Sequence, residues 1–314
     1  MLQIFMTNDL PTGTEFLQIE NIQKGAWINL VQPTPEEITF LKMALDVPED
    51  FILAALDEEE RSRIETDEDY TLIIIDIPVA SSEEYAGLYI TVPMSIIVSD
   101  HNIITICMKE HAILDDFINR RVKGFFTYKK TRFIFQILYK NAAFYLQYLR
   151  QIDRRSNQVE MELHRSLKNK ELIQLLGLEK SLVYFSTSLK SNEVVLEKMM
   201  RFNPVKMYPE DQEILEDVII ENKQAIEMSG IYSNILSGTM DAFASVISNN
   251  LNIVMKILAS ITIVLSIPTI VASFFGMNVA VPLADEPHAF LWIFLISSVI
   301  AGVLGLVMLK KNLF

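Results

Sequence analysis

The chain has 314 residues, a formal charge of −13 at pH 7, and hydrophobic side chains at half its positions. That length holds a folded soluble part and something more. The acidic excess disfavours nucleic acid as a partner and suits divalent cations, because hard cations take carboxylate oxygens.

The N-terminus, MLQIFMTNDL, has neither the basic start nor the apolar core of a secretory signal. Short β-rich runs follow: AWINLV (26–31), TLIIIDI (71–77), YITVPMSIIV (89–98) and NIITICM (102–108) read as strands. Between the first two, Thr34 is placed to cap a helix whose first residue is Pro35. Residues 1–125 therefore read as a small cytosolic α/β domain. Cys107, the one cysteine, reads as a buried strand residue in a reducing compartment.

From about Lys129 the pattern is helical. Arg132 to Ser166 and Lys170 to Met200 read as an antiparallel pair, giving a helical hairpin over 126–204. Pro209 opens a third helix, with apolar positions from Leu215, Val218 and Ile219 through Val246 and Ile247 in unbroken helical period. The segment 205–256 reads as a stalk. If the helix continues to 275 it is about 100 Å long at ~1.5 Å per residue, and such a helix needs neighbours in its own chain or in copies of it.

Two uncharged runs close the chain. Ile257–Phe275 has 19 residues and Ala289–Leu309 has 21, each near the ~20 that cross a bilayer core. Lys256 precedes the first, Lys310 and Lys311 follow the second, and the loop 276–288 has no Lys or Arg. The positive-inside rule then puts both termini, including the basic tail 310–314, in the cytoplasm and the loop outside.

Within the first span Thr262, Ser266, Thr269 and Ser273 share one face, which extends back through Leu258 and Met255 to Asn252. A hydroxyl stripe on an Ile/Val/Leu helix suits a polar axis; the competing reading is helix packing by small polar residues. Two spans per chain enclose no water path, so the pore reading requires several copies. Pro268 removes a donor inside the span, a defect tolerated where neighbours or water satisfy the freed carbonyl.

Elsewhere, chemistry is sparse. No phosphate loop or dinucleotide fingerprint follows a strand, which argues against a nucleotide partner, and His101, His111, His164 and His288 are scattered without metal-ligand spacing. No acid, base and nucleophile set points to an enzyme. The acidic clusters Glu58–Glu60, Glu65–Asp69, Glu83-Glu84 and Glu213 to Glu221 read as solvated surface.

Two C-terminal spans, Gly276-Met277-Asn278 at the outer end of the first, Pro268-Thr269 about two turns before it, and the terminal lysines together resemble the CorA family of magnesium channels. SVISNNLNIVMKIL (245–258) and WINLVQPTPEEI (27–38) resemble that family's segment leading into the membrane and its N-terminal signature. The resemblance implies an α+β membrane protein assembled as a homopentameric funnel in the cell membrane, conducting Mg2+, with Co2+ and Ni2+ as further candidates. It implies a selectivity ring at Gly276, Met277 and Asn278, with Asn278 offering carboxamide oxygens to the waters of a hydrated ion and Gly276 permitting the turn. It further implies an inner polar ring at Asn252, a hydrophobic constriction at Met255 and Leu258, and a second hydrated-ion site at Thr269. Lys310 and Lys311 would form a cytosolic basic ring. Regulatory Mg2+ would sit between subunits at Asp217, with Asp69 or Asp67 as its partner.

Phe275 stands where the family usually has Tyr, and Asp285-Glu286 come later than the family's acidic loop residue. A proton-coupled zinc transporter of the ZntB type shares this architecture, with His288 as its one hint. A membrane-anchored scaffold without transport is the alternative from another class.

Overall fold

The computed structural model describes residues 1–10, 13–67, 69–81, 89–166, 169–278, 282 and 287–311. It divides into two compact units, Met1–Thr239 and Met240–Phe314. Of the acidic positions singled out above, Glu68, Glu83-Glu84 and Asp285-Glu286 lie outside the described residues.

The first unit is organised by a seven-stranded sheet. Its strands are β1 (Leu2–Leu10), β2 (Gly13–Gln18), β3 (Trp27–Val31), β4 (Arg63–Asp67), β5 (Tyr70–Ala80), β6 (Tyr89–Ser99) and β7 (Ile103–Cys107), in the order β2-β1-β3-β7-β6-β5-β4. All neighbours are antiparallel except β3 and β7. The central strands are covered on both faces, which is why they read as continuous apolar runs. Trp27, Ile73, Ile75, Met94 and Ile96 enter one core, and Ile28, Leu30, Leu72, Ile74, Ile97 and Ile104 the other. The period of two thus divides TLIIIDI between two cores.

Helices α1 (Pro35–Leu45) and α2 (Glu49–Leu56) cover the second face through Leu41, Phe51 and Ile52. As expected, Thr34 caps α1: its hydroxyl accepts from Glu37 N, the Glu37 carboxylate accepts from Thr34 N, and Pro35 fills a position where no donor is needed. Helices α3 (Ala112–Ile118), α4 (Lys130–Ser166) and α5 (Asn169–Phe202) cover the first face, with Leu215 and Val218 from the start of α6 (Pro209–Phe275). Trp27, Phe117, Phe125 and Phe133 meet there with ring centroids 4.6–6.0 Å apart. Cys107 is buried in β7 as expected, its thiol pushed up to about 11 by burial, so it is no nucleophile at neutral pH.

The sequence reading missed β1, β2, β4, α2 and α3. Helices of 8 and 7 residues are too short to display a 3.6 period. β4 runs into the Glu65–Asp69 cluster taken as solvated surface: Glu65, Thr66 and Asp67 are exposed on an edge strand, where charge protects the free edge.

β4 stops pairing at Arg63↔Ile74, two residues short of Asp76, and Asn192 of α5 takes over. Its carboxamide accepts from Asp76 N at 2.9 Å and donates to Asp76 O at 2.8 Å, as a neighbouring strand would. Asn141 and Tyr145 of α4 donate to the same carbonyl at 2.9 and 3.2 Å. These bonds fix both long helices to the sheet at one residue. Asn192→Ala strands the half-buried Asp76 N–H and the Ser62 hydroxyl, both of which donate to the Asn192 carboxamide oxygen, at a cost of about 2 kcal/mol. The thermal midpoint of the full chain, followed through buried Trp27, is expected to fall by several degrees; an unchanged midpoint would remove this role.

His111 precedes α3 with both ring nitrogens buried and without hydrogen-bond partners, and burial pushes its pKa down to about 4. Below its ordinary 6.5 the unfolded chain takes up a proton that the fold refuses, so stability falls as pH drops from 6.5 toward 4, by roughly 1.4 kcal/mol per unit at most. Asp76, raised by burial, acts in the opposite sense as pH rises. Comparison with His111→Gln isolates the histidine: the variant is expected to show a flatter midpoint between pH 6.5 and 4, and parallel curves would exclude His111 as the source.

Candidate ion pathway

The second unit contains the end of α6 and helix α7 (Ala289–Lys310). The most apolar window of each helix is only 6% buried. Leu258, Leu265, Phe274, Leu291, Phe294 and Leu306 are each more than half exposed, a surface that needs lipid or further copies of the chain rather than water.

The two helices meet through small residues. Ser297 and Ala301 of α7 and Ser260 of α6 are buried, and a Cβ placed on Gly305 would stand 3.9 Å from a methyl of Val264. Ser297, Ala301 and Gly305 recur every four residues, the spacing that lets helices approach closely in lipid. This contact was not anticipated, although the spacing was legible in LISSVIAGVLG (295–305).

Half-buried Ile257, Val264, Ile267, Pro268 and Val271 join Ser260 on the same face of α6. At about 100° per residue, Thr262, Ser266, Thr269 and Ser273 centre roughly 180° away from that face. Within the chain, the hydroxyl stripe is thus not the face that packs α7. Asn252, Met255, Leu258, Thr262, Thr269 and Ser273 are all exposed, and Ser266 is half-buried.

Three of the four hydroxyls are satisfied by their own helix. Thr262 donates to Leu258 O at 2.8 Å, Ser266 to Ile263 O at 2.8 Å and Thr269 to Leu265 O at 3.2 Å. With their donors turned inward, these oxygens keep acceptor lone pairs for other partners. Such a face accepts hydrogen bonds and offers few, which matches the protons of water around a cation.

α6 ends at Phe275, and Gly276, Met277 and Asn278 follow, all exposed. Gly276 does not turn the chain by a left-handed conformation; among the described glycines only Gly25 and Gly124 have positive φ. Its N–H still bonds Ala272 O at 2.9 Å, the next bond shortens to Met277 N to Phe274 O at 3.4 Å, and a Cβ would stand 3.3 Å from the Ala272 carbonyl. The glycine supplies room beside that carbonyl, not a special φ. His288 immediately precedes α7 without capping it by its side chain, Lys310 lies in the last turn, and Lys311 ends the helix.

In the first unit Asp217 is exposed on α6 between buried Leu215 and Val218. Asp67 ends β4, Asp69 precedes β5, and both are exposed. Among the described residues no three His, Cys, Asp or Glu side chains of one chain converge as metal ligands.

An α/β domain followed by two apolar helices, each long enough to cross a bilayer, has the make-up of a membrane protein with a folded domain outside the lipid. The chain matches the CorA-like Mg2+ transporter protein family over residues 23–311 and belongs to it. It is 31% identical to the cobalt/magnesium transport protein CorA of Methanocaldococcus jannaschii over 278 residues, 84% of this chain and 83% of that one. The complete structure of the CorA magnesium transporter from M. jannaschii superimposes with a TM-score of 0.82 at 24% identity, covering 100% of this chain and 99% of that one. The full-length CmaX protein shares the fold at a TM-score of 0.73 and 15% identity, covering 99% and 97%. The ZntB cytoplasmic domain from Vibrio parahaemolyticus does so at 0.60 and 13%, covering 79% and 96%. The family is one of transporters, not enzymes.

If the small-residue face joins the two helices, a large side chain there forces them apart, at a cost of about 1–3 kcal/mol. Ala301→Leu is expected to lower the thermal midpoint in detergent and broaden the size-exclusion peak. Leucine at the neighbouring exposed Ser298 is expected to change neither, and equal behaviour of the two variants would refute the contact.

Proposed function

We propose that this chain assembles as a homopentamer in the cell membrane and conducts hydrated Mg2+ into the cytoplasm, with Co2+ and Ni2+ as further permeant ions. Both termini and the lysines at 310 and 311 are cytoplasmic in this reading, and the Gly276-Met277-Asn278 turn faces outside. The similarity to the cobalt/magnesium transport protein of M. jannaschii supports a magnesium or cobalt cargo. The observation that carries the proposal is the acceptor-rich face of α6, which lies opposite the α7 contact and runs toward Asn278.

Mg2+ surrenders its water reluctantly. A pathway that accepts hydrogen bonds from the hydrated ion therefore costs less than one that strips it. Five Asn278 carboxamides would form the first acceptor ring, since an amide oxygen accepts from water and carries no charge to trap the ion. Met277 packs rather than ligates, because a thioether suits soft metals. Thr269 and the other hydroxyls would continue the acceptor surface, with Asn252 as an inner polar ring.

Met255 and Leu258, 56% and 57% exposed in the single chain, would narrow the path with apolar side chains and close it by dewetting. Entry needs no ATP: a divalent ion moving into a negative interior gains about 4.6 kcal/mol per 100 mV, twice the single-charge value.

Asp217, with Asp69 or Asp67 from a neighbouring subunit, would hold regulatory Mg2+. These exposed carboxylates suit a hard cation. Bound Mg2+ would neutralise facing charges and hold the closed assembly; its loss would let them repel.

The test is Mg2+ uptake into proteoliposomes under an inside-negative potential and low internal Mg2+, with Zn2+ measured in parallel. Asn278→Ala is expected to reduce Mg2+ uptake at least tenfold with pentamer assembly unchanged. Undiminished uptake would overturn the Asn278 ring. No divalent uptake by either protein would overturn the channel, and uptake of Zn2+ alone driven by a pH gradient would replace it with a zinc transporter.

A further inference from the structure

The chain has two tryptophans, and the fold treats them in opposite ways. Trp27 is fully buried in the first unit, where its indole N–H donates to the Thr105 hydroxyl at 2.9 Å. Trp292, near the start of α7, is 59% exposed, and its indole N–H has no hydrogen-bond partner among the described residues.

Other rings surround it. Phe274 and Phe275 end α6, Phe290 and Phe294 flank the tryptophan on α7, and all four are exposed. Phe290 and Phe294 stack with centroids 6.3 Å apart. From Leu251 to Ser273 and from Leu295 to Leu313 the sequence has no aromatic residue. The rings of the two spans are thus gathered at the loop end, and Lys256, Lys310 and Lys311 stand at the other.

The lengths of the two helices agree with this division. A Cβ on Gly305 would stand 3.9 Å from Val264, so these residues are level. Antiparallel helices of equal rise then bring Phe275 level with Phe294, and the Gly276-Met277-Asn278 turn beside Trp292. Lys256 and Phe274 are eighteen positions apart on α6, and so are Trp292 and Lys310 on α7, about 27 Å of helix in each case. A hydrocarbon core of about 30 Å fits between such markers once the long lysine side chains reach outward.

The direction of Trp292 selects what it meets. It lies about 140° round α7 from Ser297, which is buried in the α6 contact. In the assembly proposed above, copies meet round the hydroxyl face of α6 and α7 lies behind it. The indole is therefore turned away from both the helix seam and the axis, toward lipid.

We infer that Trp292, with Phe274, Phe275, Phe290 and Phe294, seats the loop end of each chain in the headgroup boundary of a phospholipid bilayer. The rings enter the edge of the acyl region while the indole N–H donates to headgroup oxygens. Tryptophan suits that boundary because one end of it is apolar and the other takes a wet partner. The same belt holds the Gly276-Met277-Asn278 turn at the membrane surface. This seating presupposes the membrane placement and assembly proposed above, and is independent of ion conduction.

Fluorescence of the full-length protein in phosphatidylcholine vesicles tests it, with bromine on the lipid chains either near the headgroup or near the chain ends. The difference between the native protein and Trp292→Phe isolates the exposed indole, since Trp27 is buried in the first unit. The variant keeps a ring at an exposed site and is expected to insert normally, which flotation with the vesicles checks. Shallow bromine is expected to quench the difference signal about twofold more than deep bromine. Equal or stronger quenching by deep bromine would overturn the seating by placing the indole in the hydrocarbon core. Absence of quenching by either lipid, in protein that floats with the vesicles, would overturn it too. Iodide in the buffer then separates an indole in water, which it quenches, from one covered by a second copy, which it does not. Failure of the native protein to float would overturn the membrane placement itself.

Discussion

The hydrogen bonds by which Thr262, Ser266 and Thr269 return their protons to their own helix are the interactions on which the membrane unit depends. A hydroxyl on a helix in hydrocarbon needs a partner, and a partner on another helix would fix the stripe in a packing contact. Bonded inward, the hydroxyls are tolerated while facing no protein at all. The same bonds spend these three donors and leave their acceptor lone pairs outward. Chemical satisfaction within the chain and an outward surface of acceptor lone pairs thus arise from one arrangement.

That arrangement works only because α7 packs elsewhere. Ser260 against Ser297, Ala301 and Gly305 gives close approach on the opposite side of α6, where side-chain bulk would be the obstacle and polarity contributes little. Pro268 lies nearer this packing face than the hydroxyl face. The helix therefore carries two specialised surfaces, one chosen for size and one for lone pairs.

Much of this was legible in the sequence, and the gaps have physical causes. The apolar runs, the Thr34–Pro35 start of α1, the interior strands and buried Cys107 declared themselves because each carries a strong local rule. The hydroxyl stripe was visible by period alone, but period could not separate pore from packing; the α7 contact on the other face shows only that the stripe is not the seam between the two helices of one chain. Edge strand β4 escaped because an edge is protected by charges that make it resemble a loop. Gly276 was expected to permit the turn that leaves the helix, and the helix does end before it; what the sequence did not show is that the glycine supplies room beside the Ala272 carbonyl without a positive φ. Asn192 left no signal at all. A lone Asn in a long helix looks like surface until the strand that should have paired with Asp76 ends two residues early.

The charge distribution of the first unit follows a similar logic. Acids are placed where solvent or a hard cation can take them: on edge strand β4, along the exposed side of α6 at Glu213, Glu216 and Asp217, and in the first turns of α1, α2 and α6. At most of these sites the helix pole or the sheet edge makes negative charge locally favourable. The start of α4 breaks the rule, with cations on a positive pole in a chain that has acids to spare. Capping by an acid would have been simpler and more stabilising by a few tenths of a kcal/mol to about 1 kcal/mol. The first turn of α6 resolves that conflict from outside the helix: Glu210 pairs with Arg132, and the buried Asp211 carboxylate faces both Arg132 and Lys129, so the charge is balanced between two elements and not within one.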